Sequence, residues 1–164
     1  MIKIGIDPSG TGTTAIVVYE DSILLHEKEF INNDWKDHYK FIDNNLSFYN
    51  SFRLDNKQQL EDFIFNIENC LYTNANGSKD RDDLLRLLGA IDKDRDEIIN
   101  WISPKYTKSV VKNMENLSKY NDSSVWKYEK DTNLTYEYGK GWKYNNEKIS
   151  NHIRDAIIIA NYES

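Results

Sequence analysis

Apolar side chains crowd the first twenty residues in two runs, Ile2-Lys3-Ile4-Gly5-Ile6 and Ala15-Ile16-Val17-Val18-Tyr19, with the polar turn Pro8-Ser9-Gly10-Thr11-Gly12-Thr13-Thr14 between them. Short β-branched runs bounded by turn residues read as buried strands. They predict strand one over 2–7, strand two over 13–20 and strand three over 22–31, joined by short turns into an antiparallel meander. The period then changes. Trp35, Tyr39, Ile42, Leu46, Tyr49 and Phe52 recur at helical spacing and predict an amphipathic helix over 35–52. Phe63-Ile64-Phe65-Asn66-Ile67-Glu68 is a fourth strand, Leu84, Leu85, Leu87, Leu88 and Ile91 mark a second helix, and Ile98–Ile102 is a fifth strand stopped by Pro104. A short helix over 105–114 follows. The last helix opens at Ser150 or Asn151, both good N-caps, and runs through Ile153, Ala156, Ile157 and Ala160. Residues 115–149 are polar, rich in Lys and Tyr, and carry Gly139 and Gly141; they predict a long loop or hairpin inserted into a single α/β domain spanning 1–164.

Composition narrows the class. With 164 residues, 39% hydrophobic and 13% aromatic, the chain can bury one substantial core. No apolar run approaches the roughly 18 residues of a membrane span, and the chain enters a strand at once, so neither a membrane partner nor a signal peptide is expected. The single Cys70 leaves no intramolecular disulfide and no thiolate zinc site, which suits a cytoplasmic setting. The net charge of -6 disfavours nucleic acid only on average. Residues 1–100 hold 11 basic and 19 acidic side chains, whereas residues 101–164 hold 10 and 8. Binding follows the local patch, so the second part of the chain can still present a basic face.

Three elements end or begin with a possible ligand: Asp7 closes strand one, Glu68 closes strand four, and His152 and Asp155 open the last helix. Positions i and i+3 share a helix face, so His152 and Asp155 can address one target. A carboxylate at the end of a core strand is costly to desolvate without a cation. Two carboxylates about 4 Å apart repel by around 4 kcal/mol at an effective dielectric of 20. Divalent ions remove that cost, and oxygen ligands suit Mg²⁺ or Mn²⁺. Paired ions about 3.5–4 Å apart can activate water and stabilise a leaving oxygen in phosphodiester hydrolysis.

Gly5-Ile6-Asp7-Pro8 with its Gly/Ser/Thr turn, Ile67-Glu68 closing a strand, and His152-x-x-Asp155-Ala156 opening the last helix, taken in that order, resemble RuvC-type Holliday-junction resolvases of the RNase H-like superfamily. The resemblance runs from residue 2 to about residue 162. It implies an RNase H-like fold, with antiparallel strands one to three followed by parallel strands four and five in a five-stranded mixed sheet flanked by helices. It also implies Asp7, Glu68, His152 and Asp155 as catalytic and metal-binding groups holding two Mg²⁺ or Mn²⁺. The substrate implied is branched DNA such as the four-way junction, cut by a homodimer in the cytoplasm, that of a bacterial host if the gene is a phage's. A His at position 152 favours the softer Mn²⁺. Lys105 and Lys108 match a stretch where the family contacts phosphates. The family's aromatic wedge, three residues after the catalytic Glu, corresponds to Leu71, with Tyr72 next. The length of 115–149 is closer to phage and other viral members.

Other roles compete for the same residues. Asp7 can cap a turn, Glu61 and Asp62 lie near Glu68 as ordinary surface acids, and Asp155 can complement the helix dipole. Lys105 and Lys108 can form a solvated face. Lys and aromatic residues interleave through 119–144, a mixture that suits either nucleic-acid stacking or a packed aromatic hairpin. Cys70 reads as inert packing, and no role falls to His26 or His38. Among functions, a nuclease acting on RNA or on replication forks, and a non-catalytic DNA-binding relative, stand beside the junction resolvase. The ATP-binding fold of actin and sugar kinases, whose first loop also follows a strand with Asp, Gly and Thr, needs a second domain that 164 residues do not accommodate.

Overall fold

The computed structural model describes residues 1–55, 63–70, 79–94, 98–120 and 125–163, with only the backbone described over 49–55. Its main sheet is built from β1 (Ile2–Asp7), β2 (Thr13–Glu20), β3 (Ile23–Ile31), β4 (Phe63–Glu68) and β5 (Ile99–Ile102), in the order β3-β2-β1-β4-β5. The first three strands are antiparallel, and β1, β4 and β5 are parallel. This is the mixed sheet expected of an RNase H-like fold.

Alternation along the central strands splits the core into two faces. Ile2, Ile4, Ile6, Ile16 and Val18 point to one side, where they meet α1 (Trp35–Asp55) and α2 (Lys79–Lys93) through Ile42, Leu46, Leu87 and Ile91. Ala15, Val17 and Tyr19 point to the other side and meet α4 (Asn151–Ala160). Because both faces are covered, β2 is a continuous apolar run rather than an alternating one.

Helix α4 is apolar nearly all round, with Ile153, Ala156, Ile157, Ile158, Ile159 and Ala160 buried. Such a helix needs partners on more than one side. The second partner is a four-stranded antiparallel sheet of β6 (Val125–Lys127), β7 (Leu134–Glu137), β8 (Gly141–Tyr144) and β9 (Glu147–Lys148). Its Leu134, Trp142 and Tyr144 join α4 and β2 in one apolar cluster, and the Tyr19 hydroxyl donates to Asp131 Oδ2 at 2.7 Å across the join. The segment 115–149 therefore differs from a loop or single hairpin. Helix α3 (Pro104–Tyr120) continues beyond residue 114, because Met114 and Ser118 extend its buried face, and the strands of the small sheet lie within 125–148. Asn145 and Asn146, both at positive φ (48° and 70°), form the tight two-residue turn between β8 and β9. No described helix is long and apolar enough to cross a membrane.

Candidate active site

Parallel pairing of β1 with β4 runs from Ile2–Phe63 to Ile6–Ile67, so the next step brings Asp7 beside Glu68 on strands about 4.8 Å apart. Odd positions of β1 face α4. Gly5 is among them, and its missing side chain decides the geometry: a Cβ there would lie 2.2 Å from the Ala156 carbonyl oxygen and 2.6 Å from Ala160 Cβ. Helix α4 can thus rest directly on β1, in antiparallel sense. One turn before Ala156 stands His152, and two residues after Gly5 stands Asp7. The pair meets, with His152 Nδ1 2.9 Å from Asp7 Oδ2.

Neighbouring residues fix both ends of α4. Ser150 accepts a hydrogen bond from Ile153 N at 3.0 Å as the N-cap, and its own hydroxyl donates to Glu29 of β3. At the other end the Asn66 amide, buried on β4, donates to the carbonyls of Ile159 (2.9 Å), Ala160 (3.2 Å) and Tyr162 (3.3 Å). Asn66 shares a strand face with Glu68, so the residue that closes the helix end and the candidate ligand belong to one row. The loop after Asp7 is also pinned. Thr14 Oγ1 accepts from Ser9 N at 3.0 Å and lies 2.8 Å from Nδ1 of the fully buried His38, whose Nε2 donates to the Asn32 carbonyl at 2.9 Å.

The acids crowd one another electrostatically. Burial lifts Asp7 above the ordinary aspartate range and the charge of Asp155 adds to the lift, while the hydrogen bond from His152 opposes it. That same bond, with the charges of Asp7, Glu29 and Asp155, raises His152. Glu68 is pushed up to about 7, chiefly by burial and further by Asp7 and Asp155. Thr107 and Lys108 of α3 pull it back. The buried Thr107 hydroxyl stands close enough to Glu68 to favour the carboxylate but closes no hydrogen bond of ordinary geometry among the described residues.

Asp155 is held differently. Both of its oxygens lie in the fork of Arg154, at 2.7 Å from Nε and 3.0 Å from a terminal nitrogen. Among the described residues, no group of three or more His, Cys, Asp and Glu side chains closes to the distances of a metal cage. The donor set nonetheless fits a hard divalent cation: carboxylate oxygens and an imidazole nitrogen at one end of the sheet, carboxyls that repel one another, and an unpartnered hydroxyl beside them.

Of the residues expected to touch DNA, Lys105 and Lys108 are exposed on the first turns of α3, and the charge of Lys108 reaches Glu68. Leu71 and Tyr72 lie outside the described residues. Asn66, Thr107 and Arg154 carried no expectation, although Asn66 and Arg154 are polar side chains inside otherwise apolar elements.

The sequence matches no family model and no curated protein. Solved structures are informative. Thermus thermophilus RuvC in complex with a Holliday junction substrate superposes with a TM-score of 0.56 at 15% identity, over 98% of this chain and 90% of that one. The structure of Thermus thermophilus RuvC alone gives 0.53 at 15% identity, over 98% and 92%. The fold is that of RuvC. The match extends over nearly the whole of both chains. At this identity the likeness concerns architecture.

Proposed function

We propose that this protein is a divalent-metal-dependent endonuclease that cuts four-way and other branched DNA junctions. The observation that carries the proposal is the Asp7–His152 contact, with Glu68 on the neighbouring strand and Asp155 on the same helix turn as His152, at one end of a RuvC-like sheet. Asp7, Glu68, Asp155 and His152 would hold two Mg²⁺ or Mn²⁺. When bound, such ions supply an activated water and charge stabilisation at the leaving oxygen.

The chain's own residues do the rest. Asp7, carried by a central strand and pinned loop, is the rigid reference of the site. Glu68, pushed up to about 7 by burial, would be held as the carboxylate by a bound cation. The α4 N-terminus directs its positive dipole end toward the same region, where an anionic phosphate is favoured. Lys105 and Lys108 extend from α3 to neighbouring phosphates of the substrate. Symmetric cutting of a junction needs two such sites, so the working form is a homodimer. The exposed residues of α3 and the exposed Lys127 and Lys148 of the second sheet supply the remaining contact with the duplex arms. The assembly acts in a cytoplasm.

The test is an incubation of metal-stripped full-length protein with labelled four-way junction, flap, fork, linear duplex and RNA–DNA hybrid, with and without Mg²⁺ or Mn²⁺. Paired cuts in the four-way junction, dependent on metal and lost in Asp7→Asn, are expected. Cutting of the hybrid or the fork alone assigns the site to another substrate. Cutting that survives Asp7→Asn removes the site itself.

A further inference from the structure

Arg154 is only 9% exposed and stands beside a group of acids. An arginine so enclosed needs partners, and each of its three guanidinium nitrogens has one. Its fork takes both oxygens of Asp155, its other terminal nitrogen donates to Asn151 Oδ1 at 3.1 Å, and its guanidinium lies over the Trp142 ring, 5.0 Å from the centroid. Trp142 is buried on β8 and packs against Tyr136 of β7 at 4.9 Å. A continuous line of contact therefore runs from the second sheet through one guanidinium to the Asp155 carboxylate. Successive residues on a helix diverge by about 100°, so Arg154 and Asp155 do not meet by helix geometry alone. Trp142 and Asn151 hold the guanidinium where the fork can form.

We propose that Arg154 is a positioning residue: anchored on Trp142, it fixes the Asp155 carboxylate for cation binding and makes the second sheet part of the active site. The inference rests on the reading of Asp7, Glu68, His152 and Asp155 as a metal centre. Each carboxylate oxygen offers two lone pairs, and the fork uses one on each, leaving one on each for a cation. Ligating carboxylates oriented by such hydrogen bonds lose about 10- to 100-fold in metal affinity when the partner is removed. A lysine at this position keeps the charge and loses the planar fork.

The experiment is calorimetric titration of Mn²⁺ into metal-stripped full-length protein, comparing the parent with Arg154→Lys, Arg154→Met, Trp142→Phe and Asp155→Asn. Thermal unfolding of each variant is recorded alongside. Arg154→Lys is expected to weaken Mn²⁺ binding about tenfold or more despite its retained charge, with a smaller loss in Trp142→Phe. Unchanged or tighter binding in Arg154→Lys would overturn the proposal, the tighter result marking Arg154 as a charge that competes with the metal. Normal binding in Trp142→Phe would overturn the link to the second sheet. Should Arg154→Met fail to fold, Arg154→Lys and Trp142→Phe still decide. If Asp155→Asn binds Mn²⁺ like the parent, the metal-centre reading falls and this inference with it. If Asp155→Asn loses binding and Arg154→Lys does not, only the inference falls.

Discussion

Asp7 and His152, 145 positions apart in the chain, are joined by a 2.9 Å contact between Oδ2 and Nδ1. An aspartate in this enclosed position costs free energy as an anion, and His152 is the nearest compensation. Removing the charge and keeping the shape should separate stability from activity. Asp7→Asn is expected to abolish junction cutting while raising the stability of the metal-free protein by on the order of 1 kcal/mol. Urea unfolding and the junction assay, run on the same preparation, check both halves. A destabilised and still active variant contradicts the assignment.

The imidazole at position 152 makes a second prediction, about metal choice. Nitrogen donors favour Mn²⁺ over Mg²⁺ more than oxygen donors do. The ratio of cutting rates in Mn²⁺ and Mg²⁺ should therefore exceed one in the parent and fall by about tenfold in His152→Asp, a change of about 1.4 kcal/mol in relative transition-state stability. Equal rates in both ions for the parent would remove His152 from the ligand set.

Glu68 sets a pH dependence with a definite sign. Its folded value near 7 lies above the 4.5 of a free glutamate, so between those values the folded state binds more protons than the unfolded one. The stabilising proton is fully present below about pH 4.5 and lost as pH rises through 7, at a cost on the order of 3 kcal/mol. His152, also raised, contributes in the same direction. Metal-free protein is thus expected to lose stability from pH 5 to pH 8, and Glu68→Gln to flatten part of that slope, Asp7 and His152 carrying the rest. Saturating Mn²⁺ should reverse the trend, because protons and metal compete for the same atoms. Denaturation midpoints across that range, with and without Mn²⁺, read this directly.

The main sheet was legible because its strands obey simple rules: β1, β2 and β4 are apolar, short and bounded by turn residues. Asp7 was legible because a charge at the end of such a strand needs a reason. Asn66 sits in the same kind of strand and needs one too, but an uncharged amide gives a weaker signal than a carboxylate, and its partners lie on α4, far along the chain. The second sheet was hidden for a different cause. Its strands have only 3, 4, 4 and 2 residues, too few for a period to emerge, and its apolar face is built from Tyr and Trp, which also suit surfaces. Two signals pointed to it nevertheless. The pair Asn145-Asn146 favours a tight hairpin turn, and an α4 apolar on every side requires a second layer to cover it.

The close approach of α4 to β1 gives the last prediction. Gly5 lets the backbone of α4 lie against β1, and the positions of His152 and Asp155 relative to Asp7 follow from that contact. A methyl group at Gly5 would meet the Ala156 carbonyl oxygen at 2.2 Å and the Ala160 backbone nitrogen at 2.6 Å. Neither can move without moving the helix, since both are backbone atoms. The helix is held in turn by the Ser150 cap and by Asn66 at its C-terminal end, so Gly5→Ala should lose about 3 kcal/mol of stability as an overpacked core. The fraction that still folds should carry α4 displaced from β1, breaking the Asp7–His152 contact. Mn²⁺ affinity is then expected to fall even at low temperature, where the variant remains folded. A Gly5→Ala protein that is less stable but binds Mn²⁺ normally would show that α4 is not what sets the distance between Asp7 and its partners.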